Sequence, residues 1–206
     1  MIRRVLIGTT TVVVGATLLT SCTGERRTPG TATAAPSSST ELPNSGAPKV
    51  NDPLPAKVLD GSPCDSAFTG EQVTGYLGQT GAPKPKDSEL GPMCDWASSS
   101  GSSAGILVAY ETKTGQGISF TYKNEKPKAS RWVDDLEAVQ GYPTVGYVDV
   151  GASGKRSCVI VVGVSDELAY SLSLVLGDEA AEAGKDACQV GRGVADTVMT
   201  NLKARA

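Results

Sequence analysis

The chain has 206 residues, 19 Lys plus Arg against 22 Asp plus Glu, no histidine, and a formal charge of −3. So mild an acidity supplies no basic field for a phosphate backbone, which excludes nucleic acid as a partner. Without imidazole the chain also lacks the usual general base for a nucleophilic Ser or Cys.

Arg3 and Arg4 open the sequence, and Val5 to Leu19 carry no charge. About fifteen residues make a helix of roughly 22 Å, shorter than the ~30 Å of a bilayer core. A basic head, a short apolar run and small residues after it read as a signal peptide over residues 1–21. Leu19-Thr20-Ser21-Cys22 resembles the bacterial lipobox. Cys22 is therefore the expected lipidation site, with cleavage just before it and acyl chains on its thiol holding the protein at the membrane. Arg3-Arg4 faintly resembles a twin-arginine signal, but Ile2 precedes it, and the export route stays open. Removing residues 1–21, with two Arg and no acid, takes the formal charge from −3 to −5. The expected location is the extracytoplasmic face of the cell membrane.

Residues 22–57 are expected to form a disordered stalk. Six of the twelve prolines lie there, and no aromatic residue precedes Phe68. Such a segment buries too little to offset its ordering entropy. About forty flexible residues reach ~35 Å.

Residues 58–206 are long enough for one domain with a sizeable core. Thr69 and Gln72 form a capping box, Phe68 and Val73 sit at staple spacing, and Gly78 ends the helix. Gly101-Ser102-Ser103-Ala104-Gly105 matches the G-x-S-x-G elbow of hydrolases, but a strand, Ile106 to Tyr110, follows it where the elbow needs a helix. It reads as a turn, and Ser103 is not expected to be a nucleophile. Lys123, Lys126, Lys128, Arg131 and Trp132 make a basic stretch with an aromatic, suited to a headgroup or an acidic partner but also to a plain solvated loop. A short helix is possible at Trp132 to Val139. Tyr142, Pro143 and Tyr147 suit either a binding rim or strand-edge packing. Gly151 to Arg156 falls short of a P-loop, since Asp149 stands at the first glycine and Arg156 at the Mg²⁺-binding hydroxyl. It reads as a turn between strands.

Cys158 to Val164 and Leu168 to Leu176 alternate with period two around Ser165-Asp166-Glu167, an antiparallel hairpin. Asp186 and Gln189 open the final helix, with Ala187, Gly191, Val194, Ala195, Val198 and Leu202 on one face. The acids Asp134, Asp135 and Glu137, and Asp178, Glu179 and Glu182, lack the spacing of a calcium loop and read as solvated surface. The fold class is α+β: a single domain with a mainly antiparallel sheet packed by an N-terminal and a C-terminal helix.

Cys64, Cys94, Cys158 and Cys188 form an even set in an exported chain, which favours disulfides. No C-x-x-C pair and no His supports zinc, so no metal is expected. Of three possible pairings, Cys64–Cys94 and Cys158–Cys188 join neighbouring elements and are favoured.

Pro63-Cys64 before the capped helix, Cys94-Asp95-Trp96, Val139-Gln140-Gly141-Tyr142-Pro143, Cys158 to Val162 and Ala187-Cys188 follow one another in this order. Together they resemble the actinobacterial exported lipoproteins carrying domain of unknown function 3558, over nearly all of residues 58–206. Gly70 stands where such helices often have Pro. The resemblance implies export, an acyl anchor and a compact α+β domain, and no activity or catalytic residues. The expected function is a non-catalytic binding or scaffold module that meets an envelope protein, a lipid or a glycan, with no cofactor. A lipid or small-ligand carrier with an apolar pocket is the alternative, and a His-free hydrolase stands behind both.

Overall fold

The computed structural model describes residues 41–206 except Ser153. The expected lipidation site Cys22, the expected signal peptide over residues 1–21 and the expected stalk as far as residue 40 lie outside the described residues. The elements run as a 3-10 turn (Ala56–Leu59), α1 (Pro63–Ser66), α2 (Gly70–Leu77), β1 (Lys84–Asp87), β2 (Pro92–Ala97), β3 (Gly105–Glu111) and α3 (Ile118–Asn124). Then come β4 (Arg131–Val133), β5 (Thr144–Val148), β6 (Ser157–Gly163), β7 (Ala169–Val175), α4 (Asp178–Glu182) and α5 (Ala187–Lys203). The strands form one seven-stranded sheet in the order β1-β2-β3-β7-β6-β5-β4, every pair antiparallel. The domain is α+β, as its sequence implies.

Local signals set the elements. Thr69 Oγ1 accepts from the Gln72 amide, and Gln72 Oε1 accepts from the Thr69 amide, closing the capping box on α2. Asp186 Oδ1 accepts from the amides of Cys188 and Gln189 and starts α5. Ser165 Oγ accepts from the amides of Glu167 and Leu168 in the β6–β7 turn.

Period two then sorts the side chains. One face carries Ile106, Val108 and Tyr110 of β3, Cys158, Ile160 and Val162 of β6, and Tyr170, Leu172 and Leu174 of β7, all buried. Helix α5 lies on it through Ala187, Gly191, Val194, Ala195, Val198 and Leu202. A Cβ at Gly191 would stand 3.0 Å from Ile160 Cγ1, so the glycine lets helix and sheet approach. The Tyr170 hydroxyl donates to Ala195 O at 2.8 Å inside this layer. Disulfides Cys64–Cys94 and Cys158–Cys188 fasten α1 to β2 and β6 to α5. Trp96 packs edge-on to Phe68, centroids 5.3 Å apart, beside Cys64.

Two expectations change. Residues 41–57, assigned to the stalk, are packed on the domain. Val50 is buried and its amide donates to Asp166 Oδ1 at 2.9 Å, the Leu54 amide donates to Val164 O, and the Asn44 amide donates to Ser119 Oγ. The stalk boundary therefore moves back, because isolated apolar residues in a Pro-rich stretch find the end of the β6–β7 hairpin. Trp132 to Val139 is not a helix. Strand β4 pairs with β5 (Trp132 opposite Tyr147), so its backbone hydrogen bonds go to the sheet, and Leu136 and Val139 are buried from a loop.

Gly117 turns the chain into α3. Its φ is 48°, and a Cβ there would lie 2.6 Å from Asp166 O. Gly117→Ala is expected to cost about 1–3 kcal/mol through backbone strain and the clash. The measurement is a urea midpoint shift at unchanged m-value, and an unshifted midpoint would contradict the close approach.

Candidate functional site

The opposite face of the sheet carries Leu107, Ala109 and Glu111 of β3, Ala169, Ser171, Ser173 and Val175 of β7, and Val159 and Val161 of β6. Val145 and Tyr147 of β5 and Trp132 of β4 complete it. Among the described residues α3 roofs this face, with Ala47 of the preceding segment packed against the same cluster. Ile118 packs on Val145, Val161 and Ala169, and all four are buried. Beyond α3, Leu107, Val159, Ser173, Val175, Tyr147 and Trp132 stay half-exposed. A groove of about 190 Å³ runs beside Tyr147, lined also by Val159, Ser157 and Ser173.

The aromatic residues meet at the β4 edge. Trp132 and Tyr147 are a cross-strand pair whose rings stack at 6.3 Å and 21°. Tyr122, from α3, stands edge-on to Trp132 at 5.1 Å and 82°. The Lys126 ammonium lies 5.1 Å from the centres of both the Tyr122 and the Trp132 rings. Asp134 Oδ2 is 3.9 Å from that ammonium. Burial raises the Tyr122 phenol pKa, and the Asp134 charge adds to the shift. Burial likewise raises Tyr147, with smaller contributions from Asp149, Glu125 and Glu111. The Trp132 indole nitrogen is buried and has no hydrogen-bond partner among the described residues. Its ring is thus held by neighbouring rings rather than by a polar contact.

Glu111 is the second unusual group. It is 2 % exposed, at the end of β3 opposite Ala169. Burial pushes its carboxyl up to about 7; a hydrogen bond from Ser171 opposes the shift, and the Glu125 charge adds to it. Its Oε2 has no hydrogen-bond partner among the described residues. Near neutral pH such a group exchanges between a neutral donor and a buried carboxylate.

The remaining sequence candidates are scattered. Ser103 is exposed in the β2–β3 turn at φ 56°, ahead of a strand. The Gly151–Arg156 segment links β5 to β6, and Arg156 pairs with Asp178 at 2.6 Å. Asp134, Asp135 and Glu137 follow β4, while Asp178, Glu179 and Glu182 lie on α4, all exposed. Tyr142 and Tyr147 do not form a rim. They sit five residues apart, and Tyr142 is buried under Lys203 while Tyr147 belongs to the opposite face. Arg131 turns away from the aromatic group to Asp186 at 2.7 Å, lining a polar cleft of about 400 Å³ with Lys155, Glu182 and Lys185. A more apolar cleft, between Leu77, Leu174, Leu176, Val190 and Val194, holds about 160 Å³. No helix among the described residues is long and apolar enough to cross a membrane.

Sequence reasoning picks out Lys126 and Trp132 but misses Tyr122, Tyr147 as their partner, and Glu111.

No curated protein and no solved structure matches the chain. A family profile described as "Protein of unknown function (DUF3558)" matches residues 17–201, most of the sequence. The chain belongs to that family.

Proposed function

We propose that the chain is an exported lipoprotein, anchored through acyl chains on Cys22, whose domain is a binding module at the outer face of the cytoplasmic membrane. The observation that carries the binding role is the half-exposed group Tyr122, Trp132 and Tyr147 on a sheet face that α3 roofs only in part. Aromatic side chains supply much contact area at little entropic cost, and they are enriched where partners meet. The carrier reading is weaker, because an apolar cleft of about 160 Å³ falls below the ~300 Å³ of ordinary small-molecule sites. The hydrolase reading is weaker still, because Ser103 sits exposed in a turn.

The test is photo-crosslinking in the native envelope. A crosslinking residue at exposed Lys123, on α3, is compared with one at exposed Lys57, beside α5. A discrete adduct from position 123 alone is expected, weakened by Trp132→Phe and lost in Tyr147→Ala. In Cys22→Ala the protein should leave the membrane fraction. Identical adducts from both positions, indifferent to the aromatic substitutions, would refute the binding face. Retention of Cys22→Ala with the membrane would refute the anchor.

A further inference from the structure

Lys126 already indicates what the aromatic corner accepts. Its ammonium sits 5.1 Å from two ring centres whose planes stand 82° apart, so the cation has two aromatic walls. A cation within about 6 Å of a ring centre is attracted by the negative face of the ring. Asp134 adds a carboxylate at 3.9 Å. Behind Trp132, the stacked Tyr147 ring holds the wall in place.

Lys126 itself is loosely held. It lies just after α3, in a turn, and its side chain is 44 % exposed. Its partner Asp134 is 60 % exposed, and ion pairs in that setting contribute little. A primary ammonium is also strongly hydrated, whereas methylated ammonium groups are the ligands that aromatic cages hold well.

Resting on the binding reading above, we propose that Tyr122, Trp132 and Asp134 form a site for a methylated organic ammonium group, and that Lys126 is its resident occupant, displaced when the ligand enters. Lys126 thereby lowers the apparent affinity of the wild-type site, as any internal competitor does.

The chain has two tryptophans, and Trp96 is buried on the other face, so Trp132 emission reports on the corner. Full-length protein in a non-ionic detergent is titrated with tetramethylammonium chloride against sodium chloride at matched ionic strength. A saturable change in emission is expected, with the midpoint about two- to fivefold lower in Lys126→Ala, the factor an exposed cation–π contact is worth. Asp134→Asn should weaken binding, and Tyr122→Leu should abolish saturation while leaving Trp132 in place. Choline and glycerophosphocholine as separate titrants distinguish a free cation from a lipid headgroup, and saturation by either upholds the site. Lack of saturation in Lys126→Ala, or an unchanged curve in Tyr122→Leu, would overturn it. If the crosslink from position 123 persists in that case, the ammonium chemistry is wrong and the binding face stands. If both fail, the face itself is wrong.

Discussion

Replacing Cys158 and Cys188 together by Ala is expected to lower stability by about 3–4 kcal/mol. The bridge closes a 30-residue span, and the chain-entropy account assigns roughly that much to a loop of this length. For a domain of this size the loss corresponds to ~6–16 °C in Tm. Cys64–Cys94 closes an equal span, so the same account predicts an equal loss for its removal. The two bridges differ in burial. Cys158 and Cys188 are both buried between β6 and α5, whereas Cys64 is half-exposed. Calorimetry of the two double variants separates the contributions. Equal losses identify loop entropy as the source, and a larger loss at 158–188 adds the packing of α5 on the sheet. A loss below ~1 kcal/mol at both sites would contradict the stabilising role.

Glu111→Gln is expected to remove a pH dependence. In the unfolded chain this carboxyl titrates near 4.5, and in the folded domain near 7. Between those values the native state holds a proton that the unfolded state has released, so stability falls as pH rises through the window. Above pH 7 the loss is complete, at about 3 kcal/mol from 1.36 kcal/mol per pKa unit. Below pH 4.5 it is absent. Asp186 is shifted the other way, downward, chiefly by the hydrogen bond from Arg131 working against its burial, and it acts below pH 4, outside this window. Urea titrations of wild type at pH 5 and pH 8 should differ in the stated sense, and those of Glu111→Gln should nearly coincide. An identical slope in the variant would move the titrating group elsewhere.

The legible parts of the fold are those fixed by short-range rules. The Thr69–Gln72 box, the Asp186 cap and the 158–176 hairpin each rest on neighbours in sequence, and the two cysteine pairings on neighbouring elements. Glu111 is the opposite case. At the end of the apolar run Ile106 to Tyr110 a glutamate reads as the exit to solvent. It is buried opposite Ala169, on which Ile118 of α3 packs, and Gly117 brings the chain into α3 close to the distant backbone at Asp166. The aromatic corner was half visible. Trp132 stood out, but its partners Tyr122 and Tyr147 come from a helix before it and a strand after it, and no local period joins them. Val50 and Leu54 carry no period at all, which hid the docked segment before residue 58.

The centre of the sheet has a kinetic consequence. Strand β3 pairs with β7, Gly105 opposite Val175 and Glu111 opposite Ala169, so partners 58 to 70 residues apart in the chain make the middle of the fold. The hairpins β2–β3 and β6–β7 close locally, but the join between them must meet the entropy of a long loop before any contact rewards it. Neither cystine spans that join: Cys64–Cys94 lies wholly before it in the chain and Cys158–Cys188 wholly after β3. Oxidation can therefore fasten each half without hastening their union. Docking of the two halves is the expected rate-setting step: in a chevron, destabilising substitutions along β3 and β7 should slow folding, and those at the sheet edges should mainly speed unfolding.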